Sequence, residues 1–562
     1  MMFKTIAEAL ARKPERLLWC FAAYYVAQIA VRLLMPHGLR IDEAQQVYLS
    51  QWLLAGYDAQ PPLYNWAQYA VFAVTGNYLF GLAALKAVML FSIMASYYVL
   101  GRMVLGSGAY AALACLGLFL TPQVFWQAQR DLTHTTATML LVNLLMIAVV
   151  QTIRKPGLPT YLALGAAIGF GMLTKYNFAI LLPGLALTVL ALPDDRSRLF
   201  DWRILLTAAV ALIIVAPHLQ WLVYNVEVAS EVTARRMAED SEHVGRLVEI
   251  LIGTSSLLAN SALIIAPAAV LMLAAVGPRF LQALKSRDPW SDFFLRLTVG
   301  ILLTLFAMIL AVTFTTLRDR WLMPLLQLVP LLLCLKLRAA SLDGRAALAR
   351  IAPAALLVMA LLLPGTYAAT RFDATSRYRQ PFDAFAETFR RQTGIETAGL
   401  IVTVNWYNAG NLKMQFPDSP VVTTDFDNLR LPYEWPGEHP IVLIWRGKPK
   451  IPDALAQWLA DETGLDAATL GTETVHLPYT GFPNRMAEAF QYIVVRPNRA
   501  LTQNQPRPAP AAEADVWSSL QQQAAAMFGR LASVPLAAGK PRHLAITEAT
   551  DWPCTESLRA RV

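Results

Sequence analysis

Four stretches of this sequence bring ionisable side chains to the borders of apolar runs, and each could do chemistry. The first, LRIDEAQQVYLSQWLLAGYDAQPPLYNW, sets Asp42 beside Glu43. Adjacent carboxylates can take a proton from a hydroxyl, hold a divalent cation, or cap the helix that follows. The second, QAQRDLTHTTATMLL, supplies Arg130, Asp131 and His134. Asp131 can equally cap the helix beginning there, and a lone histidine is more often hydrogen-bonded in a core than bound to a metal. The third, GFGMLTKYNFAILLPG, carries Lys175 within a long apolar stretch. A cation at membrane depth is costly unless it meets a partner or a cavity, so a functional role is preferred to simple snorkelling. The fourth, TTLRDRWLMPLLQLVP, places Arg318 and Arg320 around Asp319. Paired guanidinium groups suit a phosphate, and an internal Arg318 to Asp319 ion pair is the plainer alternative. A fifth segment, from Asn225 to Arg246, holds Arg235, Arg236, Glu239, Asp240 and His243, too mixed in sign to assign singly. It reads as a mobile amphipathic cover.

The elements that must position these groups are membrane helices. The chain is 56% hydrophobic and 15% charged, against roughly 25% charged residues in an average soluble domain. Apolar runs near 15 to 35, 78 to 100, 108 to 125, 133 to 152, 158 to 174, 176 to 193, 204 to 223, 251 to 276, 294 to 314, 321 to 336 and 351 to 369 give about eleven spans. The net charge of +8 does not argue for nucleic acid. Its basic residues fall in alternate short loops, as the positive-inside rule requires of cytoplasmic ones. That rule puts the N-terminus in the cytoplasm and the four reactive stretches outside, and an odd number of spans exports the C-terminal part. No cysteine pair has metal-ligand spacing among Cys20, Cys115, Cys334 and Cys554. The apolar run after the basic start is too long for a cleaved signal and is expected to remain as the first span.

Three domains are expected. Residues 1–370 form the membrane part, 371–496 a small α/β domain, and 497–562 a linker with a poorly ordered tail. In the middle part, GLIVTVNWYNAGNLKMQF, PIVLIWRG and FQYIVVRP read as strands, and PFDAFAETFRRQ and IPDALAQWLADE as amphipathic helices. In the first outer loop, Tyr48, Trp52 and Leu53 are available for an interfacial face.

Acids and cations from distant loops on one side of the membrane suggest a reaction centre there. A base for an acceptor hydroxyl and positive charge for a departing phosphate are what inverting sugar transfer from a polyprenyl phosphate requires. A lipid or solute transporter would place ionisable groups in mid-membrane and often show repeat-related halves. Lys86 is the main residue that fits that pattern, and a shifted segment would bring it nearer the surface. A non-catalytic scaffold leaves Lys175 unexplained.

The segments DEAQQVYLSQWLLAGYDAQPPLYNW, RDLTHTTATMLL, GFGMLTKYNFAILLPG, APHLQWLVYN and RDRWLMPLLQLVPLLL occur in this order. Together they resemble the bacterial branch of the dolichyl-phosphate-mannose protein mannosyltransferase superfamily over residues 10 to 370. The resemblance implies a GT-C membrane bundle and transfer from a polyprenyl-phosphate donor to an envelope glycolipid such as lipopolysaccharide, with protein O-glycosylation as an alternative. It implies that Asp42 is the base or acceptor-orienting acid, with Glu43 beside it, and that Asp131 is the second-loop acid. It makes Lys175 and Arg320 donor-phosphate contacts; Arg318 joins them as the second arginine of its turn, and Gln60, Tyr64, Arg130, His134 and Tyr176 are candidates for the cavity around them. A divalent cation at Asp42, Glu43 or Asp131 is compatible but not required. Some relatives carry Glu-Lys-Pro where this chain has Gln60, Pro61 and Pro62, so sugar preference does not carry over.

Overall fold

The computed structural model describes residues 2–57, 60–192, 197–199, 201–226, 245–312, 315–425 and 439–496. The expected cover containing Arg235, Arg236, Glu239, Asp240 and His243, and the expected linker and tail, lie outside the described residues.

The chain runs through α1 (Met2–Arg12) and α2 (Arg16–Leu34), then α3 (Ile41–Leu49), α4 (Leu63–Thr75) and α5 (Tyr78–Leu105). Next come α6 (Gly108–Phe119) and α7 (Gln123–Arg130), an apolar pair bent by 68°. The bundle continues with α8 (Thr133–Arg154), α9 (Leu158–Met172), α10 (Leu181–Leu190), α11 (Ile204–Tyr224) and α12 (Arg246–Val276). It ends with α13 (Pro289–Val312), α14 (Asp319–Ala339) and α15 (Gly344–Phe372). Eight of these helices are long and apolar enough to cross a membrane. With the bent pair and the shorter apolar helices Leu158–Met172 and Tyr176–Leu190, each expected apolar segment has its helix.

Burial sorts them. The apolar windows of α8 and α14 are 78% and 89% buried, whereas that of α11 is 22% buried, so α8 and α14 form the centre and α11 faces outward. Outward faces this apolar suit lipid, because a helix satisfies its own backbone there. Polar ties lock the centre: Asn143 Nδ2 donates to Ile93 O and Ser96 Oγ, both at 3.1 Å, and Gln327 Nε2 donates to Met139 O at 2.8 Å. Lys86 needs no shift to the surface. Buried on α5, it donates to Asp131 O at 2.7 Å.

After α15, helices α16 (Phe382–Thr393), α17 (Trp406–Gln415) and α18 (Asp453–Thr463) accompany a five-stranded sheet. Its strands are β1 (Leu400–Thr403), β2 (Val421–Thr423), β3 (Ile441–Arg446), β4 (Glu473–Tyr479) and β5 (Phe482–Val495). The order is β2-β1-β3-β5-β4. β1 is parallel to both β2 and β3, and β3, β5 and β4 pair antiparallel. One expected strand is corrected: NWYNAGNLKMQ is mostly helix, because the Asn405 side chain caps α17 by accepting from Asn408 N at 2.9 Å.

This domain seats on α3. Leu39 N donates to Asn411 Oδ1 at 3.0 Å, and Tyr407 Oη donates to Leu39 O at 3.1 Å. The Gln51 amide pairs with both the N–H and the C=O of Val421 at 2.9 Å, closing the exposed edge of β2. Tyr48 is therefore not interfacial, as its position beyond the first span suggested. It is buried in the domain's core with Phe385, Ile401 and Phe490.

Candidate functional site

A cavity of about 380 Å3 lies where α3, α8, the turn before α10, and α14 meet. Asp42, from α3, reaches it in an unusual setting. Its Oδ2 accepts from Leu132 N at 2.7 Å and Thr133 N at 3.2 Å, so it caps α8 rather than its own helix. Leu132 is left-handed, with φ 66° and ψ 44°, a conformation that costs an ordinary residue about 1–2 kcal/mol. Asp42 Oδ1 has no hydrogen-bond partner among the described residues, and Asp42 lines the cavity.

Cations face it. Lys175 Nζ donates to Thr135 Oγ1 at 3.1 Å on the same wall, and Arg318 and Arg320 line the cavity from the start of α14. The Asp319 carboxylate between them accepts from Gln123 Nε2 at 3.0 Å and Gln127 Nε2 at 3.2 Å, which ties it to α7 and away from the cavity. Gln60, His134 and Tyr176 also line the space. Gln60 Oε1 and His134 Nδ1 are buried without a partner, atoms that a bound ligand could satisfy. Tyr176 Oη meets His218 Nε2 at 3.2 Å, and the two rings stack.

Other candidates from the sequence are placed elsewhere. Glu43 does not line the cavity. It forms a two-pronged ion pair with Arg32, at 2.8 and 3.0 Å, and accepts from Arg40 N at 2.9 Å at the start of α3. Asp131 also lies outside the wall, held by Arg40 Nη2 at 2.6 Å and Nε at 3.0 Å. Burial works against the Arg40 charge, but the Asp131 hydrogen bonds together with the charges of Asp131, Tyr378 and Glu43 outweigh it and raise the guanidinium above its ordinary pKa. Burial likewise pushes the Tyr378 phenol up, and this ring lies under Arg32 at 4.7 Å and Arg40 at 5.9 Å. Tyr64 stands one layer back, 5.7 Å from the His134 ring, and Arg130 lies over Trp126 at 4.6 Å. Among the described residues no group of three or more His, Cys, Asp or Glu side chains could hold a metal.

Three contributors were missed by sequence reasoning. Arg40 carried no signal, because its partner lies 91 residues away. Trp321 follows the Arg318 to Arg320 cluster directly and could have been included with it. Trp406 comes from the C-terminal domain and reaches the cavity only through the docking on α3. On the remaining wall Ile180, Leu305, Met308, Leu317, Leu322 and Leu325 make an apolar flank. The cavity thus gathers an acid, three cations and an apolar flank.

A mainly helical membrane bundle with such a cavity and an appended α/β domain is the architecture of a GT-C-type glycosyltransferase. The same fold is seen in ArnT from Cupriavidus metallidurans bound to undecaprenyl phosphate: TM-score 0.55, 14% identity, 85% of this chain and 98% of that one. The apo form of that protein aligns with TM-score 0.52 and 15% identity, over 88% of this chain and 99% of that one. Residues 59–221 match the dolichyl-phosphate-mannose-protein mannosyltransferase family. The lipopolysaccharide core galacturonosyltransferase RgtA of Rhizobium johnstonii is 40% identical over 436 residues, 76% of this chain and 86% of the relative. RgtB of the same organism is 36% identical over 478 residues, 82% of this chain and 94% of the relative. The chain belongs to this family of membrane glycosyltransferases, within the dolichyl-phosphate-mannose-protein mannosyltransferase superfamily.

Proposed function

We propose that this enzyme transfers an anionic sugar, galacturonic acid or a close relative, from a polyprenyl phosphate to a lipopolysaccharide core, with inversion at the anomeric carbon. One observation carries the reading: Asp42, the one carboxylate on the wall among the described residues, shares a cavity with Lys175, Arg318 and Arg320. Three cationic side chains around one cavity suit two anions, a departing phosphate and the carboxylate of a uronic acid. Gln60, uncharged where some relatives carry a glutamate, spares that carboxylate a like-charge neighbour. Names of the relatives favour the same sugar and acceptor.

In this reading Asp42 Oδ1 takes the proton of the acceptor hydroxyl as that oxygen attacks the anomeric carbon, while Oδ2 stays fixed on the α8 backbone. The bond from the anomeric carbon to the phosphate oxygen breaks, and Lys175 with Arg320 and Arg318 stabilises the phosphate that leaves. The polyprenyl chain exits past the apolar flank into lipid. Residues 1–370 act as the catalytic membrane domain and 371–496 as a periplasmic domain. The enzyme sits in the inner membrane with its N-terminus in the cytoplasm, which the basic loops support.

The test is reconstitution of the purified chain with polyprenyl-phosphate donors carrying galacturonic acid or its neutral counterpart galactose. A clear preference for the acid, lost when Lys175, Arg318 or Arg320 is neutralised, is expected. Equal use of the two donors would overturn the sugar assignment.

A further inference from the structure

The C-terminal domain and Ile41 of α3 border a second hollow, of about 350 Å3, beside the first. Ile41 and Trp406 line both, so the two hollows share a wall. The remaining lining is Arg377, Gln380, Asn405, Tyr407 and Arg446: two cations and, among the described residues, no carboxylate.

Sheet topology explains why these residues meet. β1 has β2 on one side and β3 on the other, both parallel to it, so the chain changes its direction of travel across the sheet between β1 and β3. Open α/β sheets bind ligands in the crevice beyond the carboxyl ends of the strands at such a switch point. Asn405 and Trp406 follow β1, and Arg446 is the last residue of β3.

Arg446 is preorganised there. Its Nε donates to Asn408 Oδ1 and its Nη1 to Gln380 Oε1, both at 2.9 Å, and the rings of Phe382 and Tyr407 lie 5.0 and 5.6 Å away. Glu488 stands 3.6 Å from Nη1 and offsets part of the charge. Nη2 donates to no partner among the described residues. Arg377, exposed, is over the other wall's Tyr407 ring at 5.4 Å.

We propose that this cavity is an acceptor subsite, in which Arg377 and Arg446 hold a carboxylate or phosphate of the glycolipid whose hydroxyl reaches Asp42 past Trp406. The proposal rests on the Asp42 cavity being the transfer site. It separates the routes of the two substrates, since the donor enters from lipid beside the apolar flank and the acceptor headgroup enters from the aqueous side, through the C-terminal domain.

Glycolipid extracted from a strain lacking this protein would be offered to the purified full-length enzyme intact, after phosphatase treatment, and after carboxyl reduction. Arg377→Gln and Arg446→Gln should each raise the KM for intact acceptor about tenfold while moving the donor KM less than about twofold. Arg446→Lys, which keeps the charge and loses the fork, should fall between. Arg377 is exposed, so its variant keeps the fold if Arg446→Gln does not. One of the two treatments should reproduce the arginine effect in the native enzyme, and it identifies the group as phosphate or carboxylate. An unchanged acceptor KM in Arg377→Gln and Arg446→Lys, an equal rise in donor KM, or indifference of the native enzyme to both treatments overturns the proposal. Transfer by Asp42→Asn with an arginine-dependent acceptor KM would leave the subsite standing and remove only the base.

Discussion

Asp42 and Asp131 come from two neighbouring loops at the same end of the bundle, and the structure gives them opposite settings. Asp131 is matched by a cation, Arg40, on both its oxygens, and its own carbonyl takes the Lys86 ammonium. Asp42 is matched by two neutral backbone N–H groups on one oxygen only. The first carboxylate is paired directly with a guanidinium and fixes the loop, whereas the second has no direct ion pair among the described residues and lines the cavity, with the Lys86 ammonium near enough to feel its charge. A carboxylate's role thus follows from the donors that already occupy it more than from its place beside a membrane span.

The contrast can be broken most severely at Asp42. Asp42→Asn keeps an acceptor oxygen for Leu132 and Thr133 but loses the base, so transfer should fall about 10²–10⁴-fold with little change in Tm. Retained activity in a lipid-linked-sugar assay would erase the distinction between the two acids. Lys175→Ala is next. Loss of a charge-assisted contact to the donor phosphate should raise the donor KM about 10-fold to 100-fold, and an unchanged donor affinity would make Lys175 a structural cation held by Thr135.

Asp131→Asn sharpens the comparison from the other side. It leaves the half-buried Arg40 short of its acceptor and should cost about 1–3 kcal/mol in stability, seen as a lower Tm, with a smaller effect on transfer than Asp42→Asn. Adding Arg40→Gln should recover part of the loss, because a double-mutant cycle then removes both halves of the pair. A catalytic collapse in Asp131→Asn at unchanged Tm would reverse the assignment. The smallest effect on transfer is expected at Gly410, where an added Cβ would lie 1.9 Å from the Ala44 carbonyl oxygen. Gly410→Ala should loosen the C-terminal domain from α3 at a cost of about 1–3 kcal/mol, read as faster proteolysis after α15, and native resistance would show that the seat is not close-packed.

Much of this was legible in one dimension. Hydrophobic runs marked the spans because a helix needs a fixed length to cross lipid, and Asp42, Lys175, Arg318 and Arg320 stood out because charge beside such runs is costly. The strands β1, β3 and β5 were visible as short apolar runs, whereas β2 is three residues long and β4 is mostly exposed, too weak a pattern to read. The helix in NWYNAGNLKMQ was hidden because its cap, Asn405, follows directly on a strand.

What sequence alone determined is the class of chemistry: an acid and several cations on one side of a membrane bundle. Which acid lines the cavity, and what surrounds it, was decided only in three dimensions. Arg32 and Arg40 select Glu43 and Asp131 as structural anions, and the docked domain brings Trp406 to the cavity from far along the chain. The physical reason is that a sequence states which charges exist, while pairing and desolvation, which decide whether a charge remains available, depend on neighbours that only folding supplies.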